Sequence, residues 1–381
     1  MTRAAGKPSN LVYVIPHFAS DESDHFAHIP ALLAELGERV DLAAVVERGT
    51  APARLGGVRL LLQVPGRTKA GRFVGTLRTV VSCSAAGYDT YFLRYSRLFL
   101  VGLIVTYPLF RHRVLLWRSG ISNVIEPERR GSLRPRLDDA VNRLLLRFVH
   151  RLVTGPESMV DYMARQWDVP RAKICLLYND IDADRFTPLP PAERARTRAR
   201  LGWRDEEFVI LFVHRLAYRK GVRLLGPILR ALLHEDVPVR LVVAGDGPDR
   251  GRVEQAAADP RCQGRMDVLG AVPNRELPEL YGAADCFLTP SHEEGFPRVL
   301  LEAMATALPV VTTDAGGSRD VIGTDYPYVA GVGDLDGLVR HLLSVIRLPA
   351  AERQALGDRL RARAQAEFSP RRVAGMLEDL L

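Results

Sequence analysis

The sequence predicts an α/β protein made of two doubly wound, parallel-sheet domains. Short apolar runs of strand length alternate with longer runs of helical spacing along most of the chain, the pattern of successive βα units. The 381 residues exceed what one ordinary core organises and suit two domains. Between the two series of βα units lies a stretch rich in proline and charge, 186–200 (FTPLPPAERARTRAR), which reads as the boundary.

In the first half, Leu11 to Ile15 reads as a strand, Ile29 to Leu36 as a helix and Val40 to Val46 as the next strand. Tyr88 to Leu93 is a strand with a helix from Arg97 onward, and Val114 to Trp117 another, followed by a loop and a helix over Asp138 to Phe148. Leu152 to Thr154 closes the series, and Pro156 suits the first turn of a helix over Glu157 to Gln166. The second half reads strand Val209 to Val213, helix Val222 to His234 and strand Val239 to Ala244. Helical spacing over Leu277 to Ala284 precedes strand Cys286 to Thr289, and helix Arg298 to Ala307 precedes strand Pro309 to Thr313.

Composition narrows the function. Apolar content of 47% beside 25% charged residues is that of a folded chain, not a disordered one. Residues 1–10 are polar and lead directly into a strand, so no secretory leader is expected. The longest apolar run, 98–110, is broken by Gly102 and Pro108 and is too short to span a bilayer. Cys83, Cys175, Cys262 and Cys286 show no CxxC spacing, which argues against a zinc site or a disulfide framework and points to the cytoplasm. The net charge of +7 suits a phosphorylated small substrate, an anionic membrane surface or nucleic acid. No nucleic-acid-binding motif accompanies the arginines, so no nucleic-acid partner is expected. Solvated helix faces explain the charge equally well.

Four loops at predicted strand ends carry the chemistry. In SHEEGFPRVLLE, Glu294 and Glu302 are separated by seven residues, and an apolar helix opens between them. Amides at a helix N-terminus favour anions, but two carboxylates would repel phosphate. They suit sugar hydroxyls instead, because a carboxylate only accepts hydrogen bonds and a vicinal diol donates two. In HRLAYRKG, Arg215 and Lys220 flank another strand-to-helix turn, where two cations can neutralise a diphosphate without a metal. Gly245 and Gly247 of AGDGP permit close approach of a ligand to the backbone. This loop is not the dinucleotide fingerprint, because Arg250 stands where the third glycine belongs. DAGGS, from Asp314, offers consecutive glycines for an anion nest. Taken singly, each loop has a plain reading as a surface charge or a tight turn. Four within one stretch of the chain do not read as coincidence.

At these residues the sequence resembles glycosyltransferase family 4, the retaining enzymes of the GT-B fold. The stretch from Glu294 to Glu302 matches the family's E-x7-E signature, and HRLAYRKG, VVAGDGP, VLGAVPNRELPELYGAADCFLTPS and YNDIDADRFTP are in its style, with Asp180 replacing a usual glycine. The likeness is strongest from Arg147 to Ile322. It implies two Rossmann-like domains facing across a cleft: an acceptor-binding domain over 1–185, a donor-binding domain over 186–365, and a C-terminal helix over 366–381 that packs back on the first. It implies that Arg215 and Lys220 bind the pyrophosphate of a nucleotide diphosphate sugar, with UDP or GDP as the expected nucleotide. Glu302 would hold the ribose, and Glu294, catalytic together with Arg215 and Lys220, would lie beside the transferred sugar. Gly295, Phe296, Pro297, Arg298, Val299, Gly245, Gly247 and Val272 would complete the donor site. Neither a metal nor another cofactor is implied, so Asp180-Ile181-Asp182 and Asp334-Leu335-Asp336 are read as chance.

Departures fall in the first domain. The family's glycine pair in the first βα loop is replaced by Ser20 to His25, and the expected histidine after Trp117 by Arg118-Ser119-Gly120. His17, His25 and Arg118 become the acceptor-side candidates. The acceptor is expected to be a sugar, a lipid-linked molecule or a small molecule, with peripheral membrane contact in the lipid-linked case. A nucleotide-sugar epimerase of the same fold and a non-catalytic nucleotide-sugar-binding relative stay open as alternatives.

Overall fold

The computed structural model describes residues 9–18, 28–94, 96–118, 140–141, 143–235, 237–262 and 264–381. They divide into two units. One takes in the described residues up to 118, those from 140 to Tyr178, and Pro370–Leu381; the other is Asn179–Ser369.

The first unit is built on β1 (Asn10–Ile15), β2 (Asp41–Val46), β3 (Leu60–Gln63), β4 (Thr90–Arg94), β5 (Arg113–Trp117), β6 (Arg151–Thr154) and β7 (Ile174–Leu176). These pair in the order β3-β2-β1-β4-β5-β6-β7, every pair parallel. β1 is apolar and buried from Leu11 to Ile15, as a strand covered on both faces must be. Helices α1 (Ile29–Gly37), α2 (Lys69–Ala85) and α3 (Arg97–Phe110) connect the strands. The apolar run 98–110 forms most of α3, which buries Phe99, Leu100 and Leu103 and carries Pro108 inside its last turn. No helix among the described residues is long and apolar enough to cross a membrane.

The second unit repeats the scheme with β8 (Phe208–Val213), β9 (Val239–Ala244), β10 (Met266–Gly270), β11 (Cys286–Thr289), β12 (Val310–Thr313) and β13 (Val329–Ala330), ordered β10-β9-β8-β11-β12-β13 and all parallel. β8 is buried at every residue. One apolar cluster joins Ile210, Phe212, Ile228, Leu241, Leu288 and Leu342. Cys83, Cys262 and Cys286 are buried, and all four cysteines are free.

Two boundaries differ from the sequence reading. The stretch 186–200 is not a linker: Pro191–Arg200 is a helix of the second unit. Buried Arg198 fixes it there, donating to the Ala283, Arg204 and Glu207 carbonyls and pairing with Asp285 at 3.0 Å. The division falls at Tyr178/Asn179 instead of 185/186, because the side chains of Asn179 and Arg185 reach into the second unit. Asn179 donates to the Phe296 carbonyl at 2.9 Å and Arg185 to that of Asn274 at 2.9 Å. At the other end, Pro370–Glu378 is a helix of the first unit, where Val373, Ala374 and Leu377 join the core around Leu33 and Leu36.

Candidate functional site

All four loops singled out in the sequence follow strands of the second unit, namely β8, β9, β11 and β12, which are adjacent in its sheet. They therefore share one carboxyl edge, where open α/β sheets bind ligands. Backbone contacts lock them together. The Arg219 carbonyl accepts from the amides of His292 and Glu293, the Asp246 carbonyl from Leu216, and the Gly295 carbonyl from Gly317, at 2.8 to 3.1 Å. Two glycines are required by this packing. Gly221 has φ +68° and a Cβ there would meet the Pro290 oxygen at 1.8 Å; Gly316 has φ +51° and its Cβ would meet the Glu294 oxygen at 1.9 Å.

Glu294 is the centre of the cluster. Its Oε2 lies 2.8 Å from Lys220 Nζ, and its Oε1 accepts from Ser291 Oγ at 2.7 Å and His214 Nε2 at 3.2 Å. Burial alone would raise its pKa, but Lys220 and then His214 outweigh that and hold the carboxyl far below the usual range. His214 is itself lowered, chiefly by burial. The His214–Glu294 contact is a hydrogen bond with Nε2 as the donor. The Arg215 amide donates to His214 Nδ1 at 2.8 Å, which leaves the proton on Nε2. Lys220 Nζ also donates to the Glu293 carbonyl at 3.3 Å, so two of its three N–H groups are engaged and one remains. Arg215 is exposed at the end of β8, and its guanidinium has no partner among the described residues.

Glu302 lies on the helix Arg298–Ala305, which starts without a side-chain cap and without an acid in its first turn. Its Oε2 accepts from Tyr281 Oη at 2.9 Å, its one side-chain hydrogen bond among the described residues. Burial raises its pKa, with Arg298, Tyr281 and Arg185 pulling back. Phe296 and Pro297 are buried, Gly295, Arg298 and Val299 half-buried. Phe296 packs edge-on to Phe368 with ring centroids 5.6 Å apart, and Arg298 donates to the Asp180 carbonyl at 2.9 Å. Gly245 and Gly247 press against the backbone of His214 and Leu216. Val272 is half-buried after β10, two strands away from β8.

The two acidic triplets have local tasks. Asp182 accepts from the amides of Asp184 and Arg185, and Asp334 caps a helix through the Gly337 amide. No group of three metal-ligating side chains occurs among the described residues.

Of the acceptor-side candidates, His17 is exposed two residues beyond β1. Arg118 follows β5 with its guanidinium 4.6 Å over the Trp167 ring. His25 lies outside the described residues. Sequence reasoning quoted His214, Ser291 and Tyr281 inside motifs but gave them no role. Ser291, three residues before Glu294 at a strand end, was the most legible; Tyr281 is linked to Glu302 only by the fold.

Residues 193–363 match the family model of glycosyl transferases group 1, and residues 23–180 that of a glycosyl transferase 4-like domain. An uncharacterized glycosyltransferase of Methanocaldococcus jannaschii is 33% identical over 173 residues, 45% of this chain and 44% of that protein. The 2-deoxystreptamine glucosyltransferase of Streptomyces kanamyceticus is 32% identical over 213 residues, 55% of each. The chain matches about half the length of these relatives. The structure of Anabaena HepE in complex with UDP and glucose is similar in fold, with a TM-score of 0.74 at 18% identity, covering 98% of this chain and 99% of that one. With the two family models matching one region in each half and the GT-B architecture in both sheets, the chain belongs to the group 1 glycosyltransferases of family 4.

Proposed function

We propose that the chain is a retaining glycosyltransferase, moving a sugar from a nucleotide diphosphate sugar to an acceptor hydroxyl without a metal. The observation that carries this is Lys220, fixed by Glu294 and the Glu293 carbonyl with one N–H to spare, beside the exposed Arg215 on one loop. A fixed ammonium with a second cation on the same loop can take up charge as a diphosphate departs. The free acceptor capacity of Glu302 suits a ribose diol, and Glu294 lies beside the transferred sugar in this reading.

The surroundings of Glu294 oppose a role in proton transfer. A carboxylate held so far below neutrality neither donates a proton at working pH nor takes one up effectively. Three donors on its two oxygens also oppose a role as nucleophile. The proton of the acceptor hydroxyl then passes to the leaving phosphate oxygen, which lies on the face of attack, and configuration is retained. UDP and GDP are the nucleotides this reading expects. Where the acceptor is lipid-linked, the basic first unit acts at the cytoplasmic membrane surface, and the exposed Val105 and Leu109 of α3 support that placement. Vesicle binding that disappears at high salt supports the membrane clause, and no binding at low salt removes it.

The test is a thermal-shift panel of UDP-, GDP-, ADP- and dTDP-sugars and their free nucleotides, with and without chelator. A ligand at a hundred times its Kd stabilises by about 2.7 kcal/mol. A chelator-insensitive shift for one nucleotide, lost in Glu302→Ala, supports the donor site. No shift with any of them favours a non-catalytic relative.

A further inference from the structure

The first unit holds a cavity of about 380 Å³ that the donor site does not use. Its walls come from the carboxyl ends of four neighbouring strands: Pro16 after β1, Glu47 and Arg48 after β2, Val64 after β3, and Ser96 after β4. The chain runs outward from β1 through β2 to β3 and then returns to place β4 on the other side of β1. The cavity thus lies at the switch point of the sheet, where open α/β sheets take their ligands.

Its charge is one-sided. Among the described residues, Arg48, Lys69, Arg72 and Arg97 line it, against one carboxylate, that of Glu47. Glu47 accepts from Ser96 Oγ at 2.6 Å, so part of its acceptor capacity is already used within the wall. Lys69 opens α2 and Arg97 opens α3, so two helix N-termini converge there, and neither has an acid in its first turn. Arg72 lies one turn beyond Lys69 on α2 and is half-buried, so two cations face the space from the same helix end.

We infer that this cavity binds a phosphate group carried by the acceptor, with Arg72 and Lys69 as its principal ligands. The inference rests on the transferase reading and gives its acceptor a class. The volume exceeds what one phosphate fills, leaving room for the molecule that bears it.

The full chain, saturated with UDP to occupy the donor site, is titrated with inorganic phosphate and followed by thermal shift. Phosphate should stabilise the wild type, and Arg72→Gln and Lys69→Gln should each raise its Kd about tenfold, the scale of one charge-assisted hydrogen bond. Arg78→Gln, on an exposed turn of α2, should leave it unchanged. Retention of the UDP shift in all three variants shows that they fold. Two further arms find the source: glucose 6-phosphate against glucose, and phosphatidylcholine vesicles with and without phosphatidic acid. Arg72-dependent binding in the first marks a soluble phosphorylated acceptor, and in the second a lipid phosphate; either supports the site. No phosphate effect, or an equal loss in Arg78→Gln, overturns it even if UDP still binds. Arg72-dependent phosphate binding without any UDP shift keeps this site and sinks the donor reading instead.

Discussion

Lys220 Nζ and Glu294 Oε2 lie 2.8 Å apart, both side chains less than a tenth exposed. Each makes the other tolerable in a buried site, and together they set the one remaining Lys220 donor. Removing either partner from such a pair leaves an uncompensated charge and costs about 3–5 kcal/mol. Lys220→Ala should therefore lower both Tm and turnover. Lys220→Arg should fail to restore turnover, because a planar guanidinium cannot reproduce a compact ammonium in that space. Melting curves beside initial rates check both; a normal Tm in Lys220→Ala would show that the pair does not hold the site.

Arg215→Ala should behave differently. The exposed side chain has no partner among the described residues to lose, so stability should stay within about 0.5 kcal/mol of wild type and Tm should barely move. Turnover should fall on the order of tenfold to a hundredfold, from a charge-assisted bond of about 1.5–3 kcal/mol. Near-normal turnover in both this variant and Lys220→Ala removes the diphosphate assignment.

Acid should weaken nucleotide binding through Glu302 and not through Glu294. Burial holds Glu302 above the ordinary 4.5, and its ionised form accepts both hydroxyls of a diol where the protonated form turns one oxygen into a donor. Affinity should be full above that raised value, fall as pH drops through it, and be accompanied by proton release on binding. Calorimetry in buffers of different ionisation enthalpy measures the release, and Glu302→Gln should abolish it. Glu294 has the opposite linkage: its depressed pKa contributes stability that is present above 4.5 and lost as pH falls toward the native value.

Gly316→Ala should disrupt the site and Gly251→Ala should not. A methyl at Gly316 strikes the Glu294 carbonyl in a left-handed backbone, whereas a methyl at Gly251 meets nothing within 4 Å in the helix Arg250–Ala257. The first should cost more than about 1 kcal/mol and the second gain up to about 1 kcal/mol. Urea midpoints with unchanged slopes decide.

The loops at the carboxyl edge of the second sheet were legible because their chemistry is written in consecutive residues: Arg215 to Gly221 follows β8, and Ser291 to Pro297 joins β11 to the helix Arg298–Ala305 that carries Glu302. Strands such as β8 and β9 were legible because both faces are buried and nearly every residue is apolar. β3, β10 and α2 were not read from the sequence. β3 is only half-buried, β10 carries Asp267, and α2 buries small residues such as Gly75, Thr76 and Thr79 that leave a faint periodic signal. The helix Pro191–Arg200 looked like a linker because its arginines resemble solvated charge. Their partners, Asp285 and the Ala283 carbonyl, come from more than 80 residues away. The Tyr281–Glu302 bond was hidden for the same reason.

The helix Pro370–Glu378 closes the core of the unit that begins the chain. During synthesis, Asn179–Ser369 emerges whole and can fold as a unit, while the earlier strands wait with Leu33 and Leu36 of α1 uncovered. The half made first is thus completed last, and a chain cut short just before residue 370 carries a complete second unit joined to a first unit whose core lacks its closing helix.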